Sequence, residues 1–416
     1  MNCEISTDEL IVKGLGQFQR IKDFSDDQQR ALDFVDAFMK SGRKSAVIGG
    51  IAGSGKSSII PTIRERYRLD TGSDLEGVAV CAYTGKAVVV LKRKGLSTAQ
   101  TLHSFLYKTE IVKEKNGDLK YVFIPKKPAD FYGVRLLIVD EASMVNRQMH
   151  DFISTLPFKT LYIGDHFQLP PVGDEFNIMS CPDLRLETVL RQNEDNPIVQ
   201  LAETVRNGGK IAPGIYGSSR CLLHYEVAEL AEYDQVLAWT NQKVGEINDA
   251  IRKHRGFESC APQYEEKMIV LANCPEKNVY NGQIVYVTNT PRRMSDGSYS
   301  VAFVDEFAWN DPVCGILAGE PMTARASVHL SRQEIERWRM LGAISRRKKD
   351  RKIGKIPNYE IHLDWGYCIT VHKAQGSSWG NVAIIDERKM HWNTDYNRWL
   401  YTAITRAEES VTIYKI

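Results

Sequence analysis

The stretch Val47–Ile60, VIGGIAGSGKSSII, constrains the fold more than any other part of the chain. A short apolar run leads into a glycine-rich turn, which ends in a lysine and a helix-like segment. The spacing Gly50-x-x-x-x-Gly55-Lys56-Ser57 between a strand and a helix is typical of a phosphate-binding loop. Glycines let backbone N–H groups approach phosphate oxygens, and the start of the helix adds positive potential. The stretch therefore predicts an α/β domain with a nucleotide site.

Each part of this loop has a predicted role. Lys56 is placed to reach the β- and γ-phosphates of ATP, and Ser57 is placed to ligate Mg²⁺. The residues predicted to line the ATP are Gly50, Ala52, Gly53, Ser54, Gly55, Lys56, Ser57 and Ser58. The alternative is a glycine-rich turn without a ligand, which the flanking strand and helix patterns disfavour.

Size and composition place the chain among multidomain globular proteins. At 416 residues it is too long for one ordinary core, and 43% hydrophobic with 25% charged residues is typical of a folded protein. Because the net charge is only +2, any basic surface must be local. The eight cysteines include no C-x-x-C pair, which argues against a zinc site or a disulfide framework and favours a reducing compartment.

The sequence carries no secretion or membrane signal. Its first residues include no apolar run of signal length, and nowhere do about 18 apolar residues follow one another. We therefore expect an intracellular, cytoplasmic protein (in the host cytoplasm if the source is a virus) with no membrane partner.

Alternating strand and helix patterns predict two α/β domains. The alternation runs from SAVIGG to KTLYIGD, residues 45–165, and again from QVLAWTN to SVTIYKI, residues 235–416. It favours parallel sheets that are covered on both faces. Between residues 285 and 361 the rhythm changes to antiparallel-like strands and a charged, helix-like segment at 331–355. The pattern predicts a β-rich insertion in the second domain.

Polar residues that follow two later strands complete a candidate hydrolytic site. Asp140 and Glu141 end the apolar run in VRLLIVDEAS. Asp140 can hold Mg²⁺ through water, and Glu141 can orient or deprotonate the attacking water. Gln168 follows the strand KTLYIGD, where its amide can sense a γ-phosphate. Taken alone, the acidic pair could instead cap the next helix, and the glutamine could be a surface residue.

Five sequence blocks follow one another along the chain: GIAGSGKS, VDEAS, GDHFQLPPV, VHKAQGSS and YTAITRA. In this order they resemble the motif series of superfamily 1 helicases. QLPPV and VHKAQGSS resemble the RecD-like, 5′-to-3′ branch, which includes the bacteriophage helicases of the Dda type. The resemblance runs from Phe24 to the C-terminus, and residues 291–359 carry little motif information.

The resemblance implies two RecA-like domains with ATP and Mg²⁺ between them. It also implies a small β-hairpin insertion in the first domain and a β-barrel insertion, similar to a Src-homology-3 barrel, in the second. The implied ranges are 1–105 with 132–190 for RecA-like domain 1A, 106–131 for hairpin subdomain 1B, 191–288 with 363–416 for RecA-like domain 2A, and 289–362 for subdomain 2B.

Four further cleft residues follow from the resemblance. Arg191, in LETVLRQ, and Arg406, in YTAITRA, would contact the γ-phosphate from the second domain, which would couple hydrolysis to closure. Either arginine alone would ordinarily form a surface ion pair. Gln375 and Gly376 would line the same cleft.

The segment FSDDQ resembles the motif that recognises adenine. Gln28 would bind the adenine edge, and Gln29 is the less favoured candidate. The alternative is a helix that Ser25 caps and whose glutamines face solvent.

The resemblance also implies a set of contacts to a DNA strand. These residues are Tyr83, Thr84, His103, Ser104, Thr370, His372 and Lys373. Tyr83 stands where the family usually has a proline, and it either stacks on a base or packs inside the protein. For the histidines the alternative is a buried imidazole whose hydrogen bonds are satisfied.

A hairpin pattern lies between the second and third strands of the first domain. VKEKNGDLKYVF carries Asn116-Gly117 between two strand-like runs, which is the strongest short hairpin signal. Dda-type helicases insert a pin here, and Phe123 resembles the aromatic residue that stacks on the junction base pair, with Tyr121 as second candidate. The alternative is a simple surface hairpin.

The run SRRKKDRKIGK, residues 345–355, has two interpretations. In the first, the run binds along the phosphate backbone of DNA, which would make DNA binding strongly salt-dependent. In the second, it is a solvated linker.

The sequence therefore predicts a monomeric, ATP-dependent DNA helicase that moves 5′ to 3′ on single-stranded DNA and acts at junctions of single- and double-stranded DNA. Its expected protein partners are replication or recombination proteins such as a single-strand-binding protein. Three other functions stay open: a translocase that displaces proteins but unwinds weakly, a viral RNA helicase, and a P-loop kinase or phosphotransferase that acts on a small molecule. The last of these leaves the later motifs unexplained.

Overall fold

The computed structural model describes residues 24–68, 77–113, 119–171, 176–188, 196–257, 261–271, 279, 281–293, 299–306, 322–328, 361–387 and 395–416. Three predicted features lie outside these residues: Arg191, the Asn116-Gly117 turn and the charged segment 331–355 with its basic run. Within the described part of the chain, no helix combines the length and apolar character needed to cross a bilayer.

The first domain is an α/β unit. Its elements are α1 (Asp26–Lys40), β1 (Ser45–Gly50), α2 (Ile60–Tyr67), β2 (Val78–Ala82), α3 (Gly85–Arg93), β3 (Gln100–Thr101), α4 (Leu102–Leu106), β4 (Tyr107–Lys113), β5 (Leu119–Pro125), β6 (Leu136–Asp140), α5 (Arg147–Ser154), β7 (Lys159–Gly164) and β8 (Leu184–Leu186). Short 3₁₀ turns lie at Lys56–Ser58, Pro128–Phe131, Ala142–Met144 and Ile178–Ser180.

A six-stranded parallel sheet forms the centre of this domain. Its strand order is β3-β2-β6-β7-β1-β8. Strand β6 shows why it is buried on both faces: Leu136 and Ile138 pack into one apolar cluster, whereas Leu137 and Val139 pack into another. Alternate side chains of a strand point to opposite faces, so a continuous apolar run requires cover on both. The predicted parallel sheet is confirmed.

Strands β4 and β5 stand apart from this sheet as an antiparallel hairpin, with Tyr107 opposite Pro125 and Lys113 opposite Leu119. The range 106–131 for a pin subdomain stays a prediction.

The second domain and its insertion contain the remaining elements. They are α6 (Pro197–Arg206), β9 (Gly214–Tyr216), β10 (Ser219–Leu222), α7 (Val227–Leu230), β11 (Gln235–Ala238), α8 (Asn241–His254), β12 (Lys267–Val270), β13 (Ile284–Val287), β14 (Arg292–Arg293), β15 (Tyr299–Asp305), β16 (Met322–Val328), β17 (Ile361–Trp365), β18 (Cys368–Thr370), α9 (Val371–Ala374), β19 (Trp379–Asp386), α10 (Asp395–Ile404) and β20 (Ala407–Lys415).

A second six-stranded sheet has the order β18-β11-β19-β20-β10-β9. Its pairings are parallel except for the edge pair β9–β10. Trp399 of α10 packs in its core together with Val382 and Ile384 of β19. The prediction of two α/β domains is confirmed.

The third sheet closes on itself. β12 pairs with β13, β13 with β15, β15 with β16, β16 with β17, and β17 with β12. This ring of five strands extends beyond the predicted range 289–362 at both ends, because β12 begins at Lys267 and β17 ends at Trp365. We therefore propose 267–365 as the extent of the barrel unit; its likeness to a Src-homology-3 barrel stays a prediction.

Candidate nucleotide site and strand-binding surface

The glycines of the phosphate-binding loop are required by the backbone and by close packing. Gly53 and Gly55 have φ angles of +79° and +72°, which residues with a Cβ rarely adopt. At Gly50 a Cβ would lie 2.7 Å from Ser54 Oγ, so a larger residue there would displace the loop.

The ammonium group of Lys56 lies against the phosphate-binding loop. Its Nζ donates hydrogen bonds to the carbonyls of Gly50 and Ile51, each at 2.7 Å. The charge is therefore held by neutral acceptors at the place where the sequence predicts phosphates.

Gln28 fastens the loop from helix α1. Its Nε2 donates to the Gly55 carbonyl at 3.2 Å, and its Oε1 accepts from the Ser25 N–H at 3.1 Å. Ser25 does cap α1, as one alternative proposed, but Gln28 is buried and does not face solvent. Its amide keeps further hydrogen-bonding capacity, so its contact with adenine stays a prediction.

Asp140 and Ser57 form the oxygen pair predicted for Mg²⁺. Asp140 is buried at the end of β6, and Ser57 donates its hydroxyl hydrogen to the Asp140 carboxylate. Burial raises the pKa of Asp140, and the Ser57 hydrogen bond opposes that rise. Hard oxygen ligands suit Mg²⁺, so the pair fits this ion. In the described ranges no group of three or more His, Cys, Asp or Glu is placed to hold a metal.

Glu141 lies where charges from both domains meet. Desolvation and the neighbouring Asp140 raise its pKa, whereas the positive charges of Arg406 and Lys56 lower it. Its backbone is left-handed, with φ +53° and ψ +43°. Such a conformation costs a residue with a Cβ about 1–2 kcal/mol. Strain of this kind clusters at functional sites, which favours the predicted role of Glu141 as a base.

Arg406 comes from the second domain and is buried just after helix α10. Its Nε donates to the Thr402 carbonyl and its Nη1 to the Ser377 carbonyl, each at 3.0 Å, while Nη2 lies 3.1 Å from Thr405 Oγ1. These three acceptors are uncharged, so they orient the guanidinium without neutralising it.

Gln375 contacts the residue that follows Gln168 in the chain. Gln375 Nε2 donates to the Leu169 carbonyl at 3.0 Å, which joins the second domain to the first. Gln168 is buried, and its Oε1 has no hydrogen-bond partner among the residues that the structure describes. An orphaned buried acceptor is costly, which indicates that a ligand or water completes it.

Gly376, a predicted cleft residue, lies against Thr84, a predicted strand-binding residue. It has a φ angle of +74°, and a Cβ there would lie 2.8 Å from Thr84 Oγ1 and 3.9 Å from Glu141 Cγ. Only glycine fits this position without displacing Thr84. The two predicted functions, nucleotide binding and strand binding, therefore meet at one contact.

The predicted strand-binding residues form two groups. Tyr83, His103 and Phe123 make a chain of rings, with centroids 5.6 Å apart for Tyr83–His103 and 6.2 Å for His103–Phe123. Phe123 is 54% exposed, so its face is available for stacking. Burial raises the pKa of Tyr83 and lowers that of His103, so His103 tends to be neutral at pH 7.

Several residues of the second group also make structural contacts within the protein. Thr84 caps α3 and Thr370 caps α9 through their hydroxyl oxygens. Ser104 Oγ lies 2.7 Å from Thr101 Oγ1. His372 and Lys373 lie in the short helix α9, which Thr370 begins. For all of these residues, and for Tyr83, His103 and Phe123, contact with DNA stays a prediction; the side chain of Tyr121 lies outside the described set.

Tyr401 is a cleft residue that the sequence analysis missed. It lies on α10, and its Oη is 3.0 Å from the Ala52 nitrogen in the phosphate-binding loop and 2.9 Å from Asp165 Oδ2. Nearby, Thr402 Oγ1 accepts from the Leu169 N–H at 3.2 Å. YTAITRA and GDHFQ contain these residues, but no feature of either block shows that Tyr401 and Asp165 lie opposite each other.

A buried charge cluster joins the domains at a second place. Lys86 of α3 lies 3.1 Å from Glu306 Oε2, and Lys267 of β12 lies 3.6 Å from Glu306 Oε1. Trp379 Nε1 donates to Glu306 Oε1 at 2.8 Å, and its ring lies under the Lys86 ammonium at 4.2 Å. All four residues are buried, so the cluster connects the first domain, the barrel and the second domain.

A cavity of about 230 Å³ lies beside the phosphate-binding loop. Ile51, Ala52 and Gly53 form one wall, and residues of α6 and Tyr401 form others. With a phosphate-binding loop and an acidic strand end in one domain and an arginine from another, the chain is a two-domain P-loop protein.

Comparison with known proteins finds similarity to helicases over both α/β domains. Residues 24–219 match an AAA domain, and residues 366–414 match a UvrD-like helicase C-terminal domain. The chain is also similar in sequence to curated DNA helicases. It is 29% identical over 260 residues to the ATP-dependent DNA helicase dda of Enterobacteria phage T4, covering 56% of this chain and 57% of that protein.

Other relatives extend the match. The chain is 27% identical over 417 residues to the ATP-dependent RecD2 DNA helicase of Deinococcus radiodurans, covering 93% of this chain and 48% of that one. It therefore spans only about half the length of these two relatives. The fold is shared with Bacteroides Pif1 bound to single-stranded DNA, at a TM-score of 0.55 and 17% identity, with coverage of 93% and 91%.

Proposed function

We propose that this protein is an ATP-dependent DNA helicase that translocates on single-stranded DNA and unwinds duplexes. The observation that carries this proposal is the contact between the two domains at the phosphate-binding loop, where the Tyr401 hydroxyl of the second domain lies 3.0 Å from the Ala52 nitrogen of the first. A nucleotide at that place touches both domains, so its hydrolysis can change how they contact each other.

The residues around this place can divide the chemistry of ATP hydrolysis among them. Lys56 and Arg406 neutralise charge that develops on the transferred phosphoryl group. Glu141 orients the attacking water and accepts its proton. Ser57 and Asp140 would hold Mg²⁺, which would supply positive charge against the phosphates. Gln168 offers its orphaned amide oxygen to the water or, through its NH₂ group, binds the γ-phosphate.

Coupling to DNA is supported by the contact of Gly376 with Thr84. Thr84 begins helix α3, next to the ring chain of Tyr83, His103 and Phe123. A movement of the second domain relative to the first would therefore alter the strand-binding side as well as the nucleotide side. The phage and Deinococcus relatives are named as ATP-dependent DNA helicases, and a Bacteroides Pif1 with the same fold was solved with ADP-AlF3 and single-stranded DNA.

Finer features of the proposal rest on the resemblance. We propose 5′-to-3′ movement, Mg²⁺ as the ion, a monomer as the active form, an intracellular location, and replication or recombination proteins such as a single-strand-binding protein as partners. The ranges given above for the first domain and its hairpin form part of the same proposal, together with the barrel at 267–365 and the remainder of 191–416 as the second RecA-like domain.

Hydrolysis of ATP with and without single-stranded DNA tests the function. We expect strong stimulation by DNA, followed by unwinding of a duplex with a 5′ overhang in preference to one with a 3′ overhang. Absence of stimulation would favour a small-molecule kinase, and stronger stimulation by RNA would favour an RNA helicase. Displacement of streptavidin from biotinylated DNA without unwinding would identify a translocase.

A further inference from the structure

The hydroxyl of Tyr401 occupies an unusual position for a tyrosine of the second domain. It accepts a hydrogen bond from the Ala52 N–H, a backbone donor of the phosphate-binding loop, at 3.0 Å. It also donates to the Asp165 carboxylate, at 2.9 Å, just after strand β7. One atom of α10 thus binds two separate segments of the first domain.

Only a group that is both donor and acceptor can make this pair of bonds. Burial, together with the nearby Asp165 carboxylate, raises the pKa of Tyr401 well above its usual value, so the hydroxyl keeps the proton that it donates. Phe167 fixes the ring from the side, with centroids 5.0 Å apart at 80°. A phenylalanine at 401 would keep this ring contact and lose both hydrogen bonds.

Tyr401 is also tied to Arg406 through one turn of α10. Thr402, the next residue, accepts from the Leu169 N–H through Oγ1 and from Arg406 Nε through its carbonyl. The docking of Tyr401 and Thr402 on residues 165–169 therefore sets where the Arg406 guanidinium lies relative to the phosphate-binding loop.

We propose that Tyr401 is a positioning residue, which docks α10 on the phosphate-binding loop and thereby places Arg406 for hydrolysis. This inference rests on the proposed function, because it assigns the hydroxyl a part in the same ATP reaction.

A double-mutant cycle in the full chain tests the coupling. Tyr401→Phe should lower kcat/KM for ATP hydrolysis about tenfold, the equivalent of about 1.4 kcal/mol for two lost buried hydrogen bonds. In an Arg406→Ala background the same substitution should change kcat/KM less than about twofold, because the group it positions is already absent. A structural defect would instead lower the rate by the same factor in both backgrounds.

Tyr396→Phe is the matched control. Tyr396 lies on the same helix and donates to Asp386 Oδ2 at 2.7 Å, inside the second domain. It should leave kcat/KM within about twofold of the parent. Asp165→Asn, which weakens the same bridge from the other side, should act in the direction of Tyr401→Phe.

Three results would overturn the proposal: unchanged hydrolysis in Tyr401→Phe, an equal loss in Tyr396→Phe, or an additive loss with Arg406→Ala. The cycle can be measured on hydrolysis without DNA as well. If the parent protein hydrolyses ATP but DNA does not stimulate it, the helicase proposal fails while the positioning of Arg406 by Tyr401 can still be decided.

Discussion

Among the residues that the structure describes, the first domain contacts the rest of the chain on a nucleotide side and on a barrel side, and these two sides differ in chemistry. On the nucleotide side, the polar contacts are hydrogen bonds of Tyr401, Thr402 and Gln375, and most of their partners are backbone groups. Leu169 and Phe167 of the first domain add apolar packing there. On the barrel side, the contact is the buried cluster of Lys86 and Glu306 with its two neighbours.

These two kinds of contact respond differently to separation. A neutral hydrogen bond contributes about 0.5–1.5 kcal/mol net, because water can replace the partner. Separating a buried ion pair is harder, since removal of one partner costs about 3–5 kcal/mol. The comparison therefore predicts that the nucleotide side opens and closes during a reaction cycle while the barrel side stays joined and acts as the pivot.

The largest expected effect belongs to the nucleotide side. Glu141→Gln should lower kcat for ATP hydrolysis about 10³-fold, within the 10²–10⁴ range of a lost general base, because the amide cannot accept the proton. Steady-state hydrolysis with saturating DNA measures this loss. Nucleotide binding and urea unfolding should stay close to those of the parent.

A reduction of ATP hydrolysis by less than about tenfold in Glu141→Gln would contradict the role of Glu141 as the general base on the nucleotide side. A control variant for this prediction must lie outside the cleft, so Asp165→Asn is unsuitable. Glu246→Gln is suitable, because Glu246 pairs with Lys243 on the exposed face of α8 and should leave hydrolysis unchanged.

The next effect belongs to the barrel side and concerns stability. Glu306→Gln removes the carboxylate that the buried ammonium groups of Lys86 and Lys267 both face. We expect the free energy of unfolding to fall by about 3–5 kcal/mol, measured by urea denaturation. Hydrolysis per folded molecule should fall far less than in Glu141→Gln.

The matched control is again the exposed pair of α8. Glu246→Gln removes the partner of Lys243 at 2.7 Å, but this pair is solvated and should contribute at most about 1 kcal/mol. Equal destabilisation by Glu306→Gln and Glu246→Gln would contradict the assignment of the barrel side as the fixed joint.

Much of the fold could be predicted because its signals are local. The strand SAVIGG matches β1 at Ser45–Gly50, and QKVGEINDAIRKH falls within α8. Closure of the barrel could not be predicted in the same way, since β12 pairs with β17 across a long stretch of chain that carries no motif. The predicted boundary therefore left out β12 and β13.

The residues of the candidate site show the same difference between local and long-range signals. Lys56, Asp140 and Glu141 belong to segments whose spacing is diagnostic without a partner. Tyr401 and Glu306 matter because of what lies opposite them, and neither the residue type nor its neighbours in sequence show that. Glu306 in VDEF is indistinguishable from a surface acid until the strands are paired.

A smaller effect is expected from pH on the charge cluster. Burial would raise the pKa of Glu306, but Lys86, Lys267 and the Trp379 N–H outweigh it, and the net pKa lies below 4.5. A lowered folded-state pKa contributes stability that is present above pH 4.5 and is lost as the pH falls through the folded pKa.

The difference in unfolding free energy between the parent and Glu306→Gln isolates this contribution from other acids. It should be constant from about pH 7 to about pH 5 and should shrink below that, by about 1.4 kcal/mol for each unit of pKa difference. Urea denaturation at a series of pH values measures it. A difference that does not change with pH would mean that Glu306 is not ionised in the folded protein.

The smallest expected effect falls outside both contacts, on Phe123 of the hairpin. Phe123 is 54% exposed and touches the ring of His103, so its loss leaves the nucleotide side and the barrel side intact. Stacking on one base contributes about 1–3 kcal/mol, so Phe123→Ala should slow duplex unwinding about tenfold and change DNA-stimulated hydrolysis less than about twofold. Tyr132→Ala is the control, because Tyr132 is 93% exposed close to the same hairpin in sequence and should affect neither activity. Equal losses of unwinding and hydrolysis in Phe123→Ala would show that the hairpin acts through the domain contacts rather than on the DNA junction. The hairpin would then have no function separate from ATP hydrolysis.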